Sequence, residues 1–141
     1  MQPSKNVLGF DFGEKRIGVA LGDSLTKIVH PLQTIETEIN SERFYIINGL
    51  LEKWKPDYVV IGIPFNDDGT EHRLTMLAKK FSGKIQNKYN LPVFNIDERY
   101  TSAEAESILR ERGVKIKENK GLIDQFAAKI ILESFFREYI D

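Results

Sequence analysis

Gly9-Phe10-Asp11-Phe12-Gly13-Glu14-Lys15-Arg16-Ile17-Gly18-Val19-Ala20 is the stretch on which the reading of the chain turns. Alternation along a strand sends Leu8, Phe10 and Phe12 to one face and Val7, Gly9, Asp11 and Gly13 to the other. Gly13, Glu14 and Lys15 supply a tight turn, and Ile17, Val19 and Leu21 begin a second alternating run, so 6–12 and 16–22 read as a β-hairpin. An acid at the end of an apolar strand is costly unless it is solvated, paired or holding a cation. The expectation for Asp11 is a cation.

Working outward, 27–36 reads as a third strand, and Pro31 restricts it to an edge. A helix follows over 40–55, with Asn40 or Ser41 as its cap and Phe44, Ile47, Leu50, Leu51 and Trp54 at helical spacing. The apolar β-branched run 58–63 suits a central strand covered on both faces. A turn-rich loop leads to a helix over 71–89. A short strand at 93–96 ends at Asp97-Glu98-Arg99. Thr101-Ser102-Ala103-Glu104 has the form of a capping box for a helix ending near Gly113. Residues 114–120 read as a loop, and 121–139 as the last helix. The order β-β-β-α-β-α-β-α-α predicts one α/β domain over 1–141. Its mixed five-stranded sheet would have three antiparallel strands, then two parallel ones, with helices on both faces.

Composition narrows the function classes. The 141 residues carry a net charge of −1 and no cysteine. Disulfides and thiolate metal sites are thereby excluded, and a cytoplasmic location is expected. No run is long enough to span a membrane, and the N-terminus has no signal-peptide pattern.

Three acids stand out. Asp11 ends the first strand, Glu98 follows the fifth in phase with Phe94 and Ile96, and Asp124 lies early in the last helix beside the small residues Ala127 and Ala128. Oxygen donors without His or Cys suit Mg²⁺ or Mn²⁺. Three carboxylates at one sheet edge match two-metal phosphodiester hydrolysis, with ions roughly 3.5–4 Å apart. Plainer roles are available to each: a turn acceptor for Asp11, a surface pair with Arg99 or Arg16 for Glu98, a first-turn acid on the helix dipole for Asp124. Lys15, Arg16 and Arg99 lie close in sequence to the acids, and Arg110, Arg112, Lys115, Lys117 and Lys120 cluster before the last helix. These cations suit a phosphate backbone. His30 and His72 read as structural or surface residues.

The stretch 9–20 resembles the signature hairpin of the YqgF (RuvX) group of bacterial RNase H-like proteins. Gly62-Ile63-Pro64 with Asn66 and Gly69 is similar to its second motif. Asp97-Glu98-Arg99-Tyr100-Thr101-Ser102 with Ala105 is similar to its third, and Asp124 to Leu132 to its fourth. The resemblance implies a ribonuclease H-like fold and a nuclease for 5′-end maturation of pre-16S ribosomal RNA. The family has also been described as Holliday junction resolvases, which would act on branched DNA as a homodimer. Asp11, Glu98 and Asp124 carry over as catalytic acids and metal ligands. Lys15, Arg16, Asn66, Arg99, Thr101, Lys115 and Lys117 are the expected nucleic-acid contacts. Related nucleases often end the fourth strand on an acid, where this chain has Gly62-Ile63-Pro64. The middle ligand is then Glu98, or Asp67 or Asp68 in the loop. Two other classes compete. One is a non-catalytic nucleic-acid-binding module. The other is an actin-like phosphotransferase, which the Gly-x-Asp-x-Gly hairpin also resembles but which needs two domains to close on a nucleotide.

Overall fold

The computed structural model describes residues 3–140. Its strands are β1 (Asn6–Phe12), β2 (Ile17–Asp23), β3 (Val29–Ile35), β4 (Tyr58–Ile63) and β5 (Val93–Asp97). Its helices are α1 (Asn40–Trp54), α2 (Arg73–Tyr89), α3 (Thr101–Glu111) and α4 (Lys120–Tyr139), and a 3₁₀ turn at Ile116–Glu118 occupies the segment expected to be a loop. The sheet order is β3-β2-β1-β4-β5. β1 pairs antiparallel with β2 and parallel with β4, and β4 pairs parallel with β5. The mixed five-stranded sheet therefore forms as expected. Helical crossovers bring β4 and β5 back parallel, so the C-terminal ends of β1, β4 and β5 share one edge.

β3 is an edge strand. Its Pro31 aligns with Ala20 at a register shift between Val19 and Ala20, the kind of irregular edge position that tolerates proline. All of β4 is buried. One face of the sheet packs Leu8, Phe10, Phe12, Ile17, Val19 and Ile61 against Ile47 and Leu50 of α1 and Phe81 and Ile85 of α2. Fully burying one such side chain contributes about 1.5–3 kcal/mol. The other face packs Val7, Ala20 and Val60 against Ala128, Ile131, Leu132 and Phe136 of α4. α3 leans on α4 through Ala105, Leu109, Ile123 and Ala127.

The helix starts differ from the sequence expectation. α1 is preceded by extended Ile39 with no side-chain cap. Thr37 Oγ1 instead accepts the Ile39 N–H and donates to Glu42. α2 begins two residues late because His72 serves as its cap: Nδ1 accepts the Leu74 N–H, and Thr75 Oγ1 accepts the His72 N–H. Both contacts give His72 a structural role. The expected capping box at Thr101 does not form. Tyr100, at φ 67°, occupies the N-cap position, and the Thr101 N–H donates to the Glu98 carbonyl at 3.0 Å. The turn after β5 closes one residue early, which buries Thr101.

Candidate active site

Asp11 aligns with Gly18 on β2 and with Gly62 on β4, so the acid stands between two strands that carry no side chain at its level. Both gaps are used. A Cβ at Gly62 would lie 3.1 Å from Glu98 Cδ and 3.0 Å from Ile131 Cγ1. Glu98 thus reaches across the end of β4 toward Asp11. A Cβ at Gly18 would overlap the Asp124 carbonyl oxygen and lie 3.0 Å from Asp124 Cβ. α4 therefore rests on the backbone of β2. Asp124 and Glu98 therefore flank Asp11 on the α4 face of the sheet, one over Gly18 and the other over Gly62.

Asp11 and Glu98 are both buried, and their carboxyls are close enough to influence one another. Desolvation raises Asp11 from 3.8 to about 6, the Glu98 side chain opposes that rise, and the Asp124 charge adds to it. Burial followed by the Asp11 charge drives Glu98 well above the usual carboxyl range. Both carboxyls are thus held above their ordinary range by the same burial. Asp124 is also raised, by burial first, although Arg16 pulls it back down. Arg16 Nε donates to Asp124 Oδ2 at 2.6 Å.

This geometry decides among the plainer roles. Glu98 pairs with neither Arg99 nor Arg16. Asp124 is the fifth residue of α4, past the first turn, where the helix dipole has faded. The loop acids lie elsewhere: Asp67 and Asp68 are exposed, and Asp68 Oδ1 accepts from the Thr70 N–H and hydroxyl. Hydrogen bonds to Thr70 hold Asp68 below the usual carboxylate range. A cation would suit the Asp11–Glu98 pair, which is a hard oxygen donor set whose repulsion it would relieve. Among the described residues, however, no three acid or histidine side chains already surround one point. The Asp124 carboxylate is instead taken by Arg16.

The expected phosphate contacts are scattered. Lys15 is exposed at the hairpin turn, and Arg16 is partly buried behind it. Arg16, Lys117 and Lys120 line one polar cleft with Glu36 and Glu118, and Lys115 is exposed beside it. Arg99 is engaged by Asp97 at 2.8 Å and by the Asp67 carbonyl at 3.2 Å, so it braces the loop after β4. Asn66 closes that loop on Thr70, and Thr101 is buried beneath the Glu98 turn. Sequence reasoning missed Arg43. It is 3% exposed inside α1, and its guanidinium donates to the Gly13 and Glu14 carbonyls at 2.8 and 2.6 Å. This cation sets the hairpin turn from which Lys15 and Arg16 project. Its place in the second turn of an ordinary helix carries no signal of that role.

The chain is 50% identical over 130 residues to a protein of Methylobacillus flagellatus named "Putative pre-16S rRNA nuclease", covering 92% of this chain and 89% of that one. A protein of the same name from Chromobacterium violaceum is 46% identical, covering 93% of this chain and 96% of that one. Two solved structures share the fold at low identity. Yeast mitochondrial Holliday junction resolvase Ydc2 superposes with a TM-score of 0.59 at 14% identity, covering 97% of this chain and 80% of that one. T. thermophilus RuvC, in complex with a Holliday junction substrate, gives 0.54 at 18%, covering 94% and 93%. With that sheet order and those neighbours, the fold is ribonuclease H-like. Residues 5–138 match the family described as "RuvX: Holliday junction resolvase", and the chain belongs to that family.

Proposed function

We propose that this chain is a divalent-metal-dependent endonuclease acting in 5′-end maturation of pre-16S rRNA, in the cytoplasm, with the active site in one RNase H-like domain. The observation that carries the reading is Asp11 standing between Gly18 and Gly62, with Glu98 filling the space over Gly62 and Asp124 resting on Gly18. Such a pair is expensive to bury without a counter-cation and has no packing role that an apolar pair would not fill better.

Asp11, Glu98 and Asp124 would hold Mg²⁺ or Mn²⁺. When bound, the metal supplies charge at the scissile phosphate and a nucleophile at neutral pH. Asp11, fixed by β1 between two paired strands, orients the site. Glu98 would meet the cation as a carboxylate, which the cation's charge would favour. Lys15 and Arg16 at the hairpin, with Lys115 and Lys117 across the cleft, bind and align flanking phosphates. Arg99 and Asn66 keep the loop after β4 folded beside them, and Thr101 supports the turn that aims Glu98. This assignment makes Arg99, Asn66 and Thr101 supports for the site and leaves the phosphates to the lysines and Arg16.

The test is cleavage of a pre-16S 5′ leader fragment with Mg²⁺ or Mn²⁺, beside a four-way DNA junction, with Asp11→Asn as control. Equal activity of Asp11→Asn and wild type overturns the reading. The description of the family favours the junction as a second substrate. Symmetric junction cleavage needs two sites in a dimer. A monomer that cuts RNA and leaves the junction intact eliminates that alternative. Nucleic-acid binding without cleavage, surviving removal of all three acids, would point to a binding module.

A further inference from the structure

Building on the metal-dependent nuclease reading, we infer that Arg16 is a positioning residue that holds Asp124 off the acid site until a backbone phosphate claims its guanidinium. The main chain at Asp124 has little freedom. Thr34 Oγ1 donates to the Gly121 carbonyl at 2.6 Å, and Gln125 Nε2 donates to Thr34 Oγ1 at 3.0 Å, so the start of α4 is tied to β3. On the β2 side, α4 rests against bare Gly18. What remains free is the Asp124 side chain. One rotamer meets Arg16, and the other direction leads to Asp11, the strand partner of Gly18.

Arg16 is suited to an exchange of partners. Its pair with Asp124 is made through Nε, and among the described residues no protein acceptor meets its two terminal nitrogens. Those nitrogens belong to a side chain 29% exposed, on the wall of the cleft that also carries Lys117 and Lys120. A guanidinium offers a planar fork to a phosphate, and a phosphate arriving there competes with Asp124 for the same cation. Once released, Asp124 turns to the Asp11–Glu98 pair and completes the three-acid set. The site is thereby assembled by its own substrate.

The test is Mn²⁺ binding without nucleic acid, followed by calorimetry and by the electron paramagnetic resonance of the free ion. Wild type is compared with Arg16→Gln, Arg16→Lys and the double variant Arg16→Gln/Asp124→Asn. Arg16→Gln is expected to bind Mn²⁺ about fivefold tighter or more. Arg16→Lys, lacking Nε, shows a smaller gain and serves as the test should Arg16→Gln fail to fold by circular dichroism. The double variant loses the gain. Equal or weaker binding by folded Arg16 variants, or a gain that persists without Asp124, overturns the positioning role while leaving the metal site in place. Absence of Mn²⁺ binding in wild type and every variant overturns the metal-site reading and this inference with it.

Discussion

The two faces of the sheet are built on opposite principles. Toward α1 and α2 the strands present large side chains, and Phe81 of α2 meets Phe10, Phe12 and Phe44 with ring centroids 5.0–6.1 Å apart. Toward α4 the same strands thin out to Gly18, which meets Asp124, and Gly62, which meets Ile131 and Glu98. The first face contributes stability through area and ring packing. The second gives up area so that a helix backbone comes close enough to place an acid above a strand. β1 serves both, with Phe10 and Phe12 on one side and Asp11 on the other. One face therefore holds the stability, and the other holds the three acids close to the strands.

Substitutions on the two faces are expected to separate stability from activity. Phe81→Ala removes the aromatic hub of the apolar face and should cost about 3–5 kcal/mol in urea unfolding, with cleavage per folded molecule unchanged. A proportional loss of specific activity would mean that the faces are not independent. Asp11→Asn is the converse. It should lower cleavage roughly 10²–10³-fold, the scale for removing one preorganised charge. In metal-free buffer its melting temperature should not fall, because it removes a buried carboxyl whose charge desolvation disfavours. Gly18→Ala strikes where the glycine-thinned face is tightest. The added methyl meets the Asp124 carbonyl and should cost about 1–3 kcal/mol while displacing α4, so stability and cleavage fall together.

The pH dependence of stability follows from the acid pair. The Asp11 value is raised from 3.8 to about 6 in the folded protein, so between those pH values the native state binds more protons than the unfolded one. The stability of the metal-free protein is therefore full below that window, falls as pH rises through it, and is lowest above it. Glu98 is raised in the same sense and extends the decline upward. Thermal melts from pH 4 to 8 measure the slope, and Mn²⁺ at pH 8 should reverse the loss. A melting temperature that climbs across this range would refute the assignment. The smallest effect is expected at the loop acids. Asp67→Asn and Asp68→Asn should each change cleavage by about twofold or less, as exposed positions away from the three acids. A larger loss would return one of them to the site.

Much of this was legible in the residues. The hairpin, the apolar run of β4 and the helical spacing of α1 and α2 are periodicities, and burial enforces periodicity locally. Pro31 marked an edge because proline cannot donate to a ladder. Asp11 was conspicuous because an acid in an apolar strand breaks the pattern around it. Helix starts were less legible. Thr101 has the right type for a cap, yet its amide is taken by the Glu98 carbonyl, and that competition depends on where β5 ends relative to β4.

The strand and helix order, the mixed sheet and the identity of three unusual acids can be read from the residues alone, since each follows from side-chain pattern within one segment. How those acids come together depends on the folded chain. It placed Glu98, and neither loop acid, next to Asp11, because Gly62 leaves a gap that Glu98 can cross. It set Asp124 against Arg16, 108 residues away in sequence, and used buried Arg43 to hold the hairpin turn. The physical reason is that such contacts depend on strand order and on how closely α4 can approach. The opening hairpin supplies the bare Gly18 on which α4 rests, but the helix that rests there lies a hundred residues further along the chain.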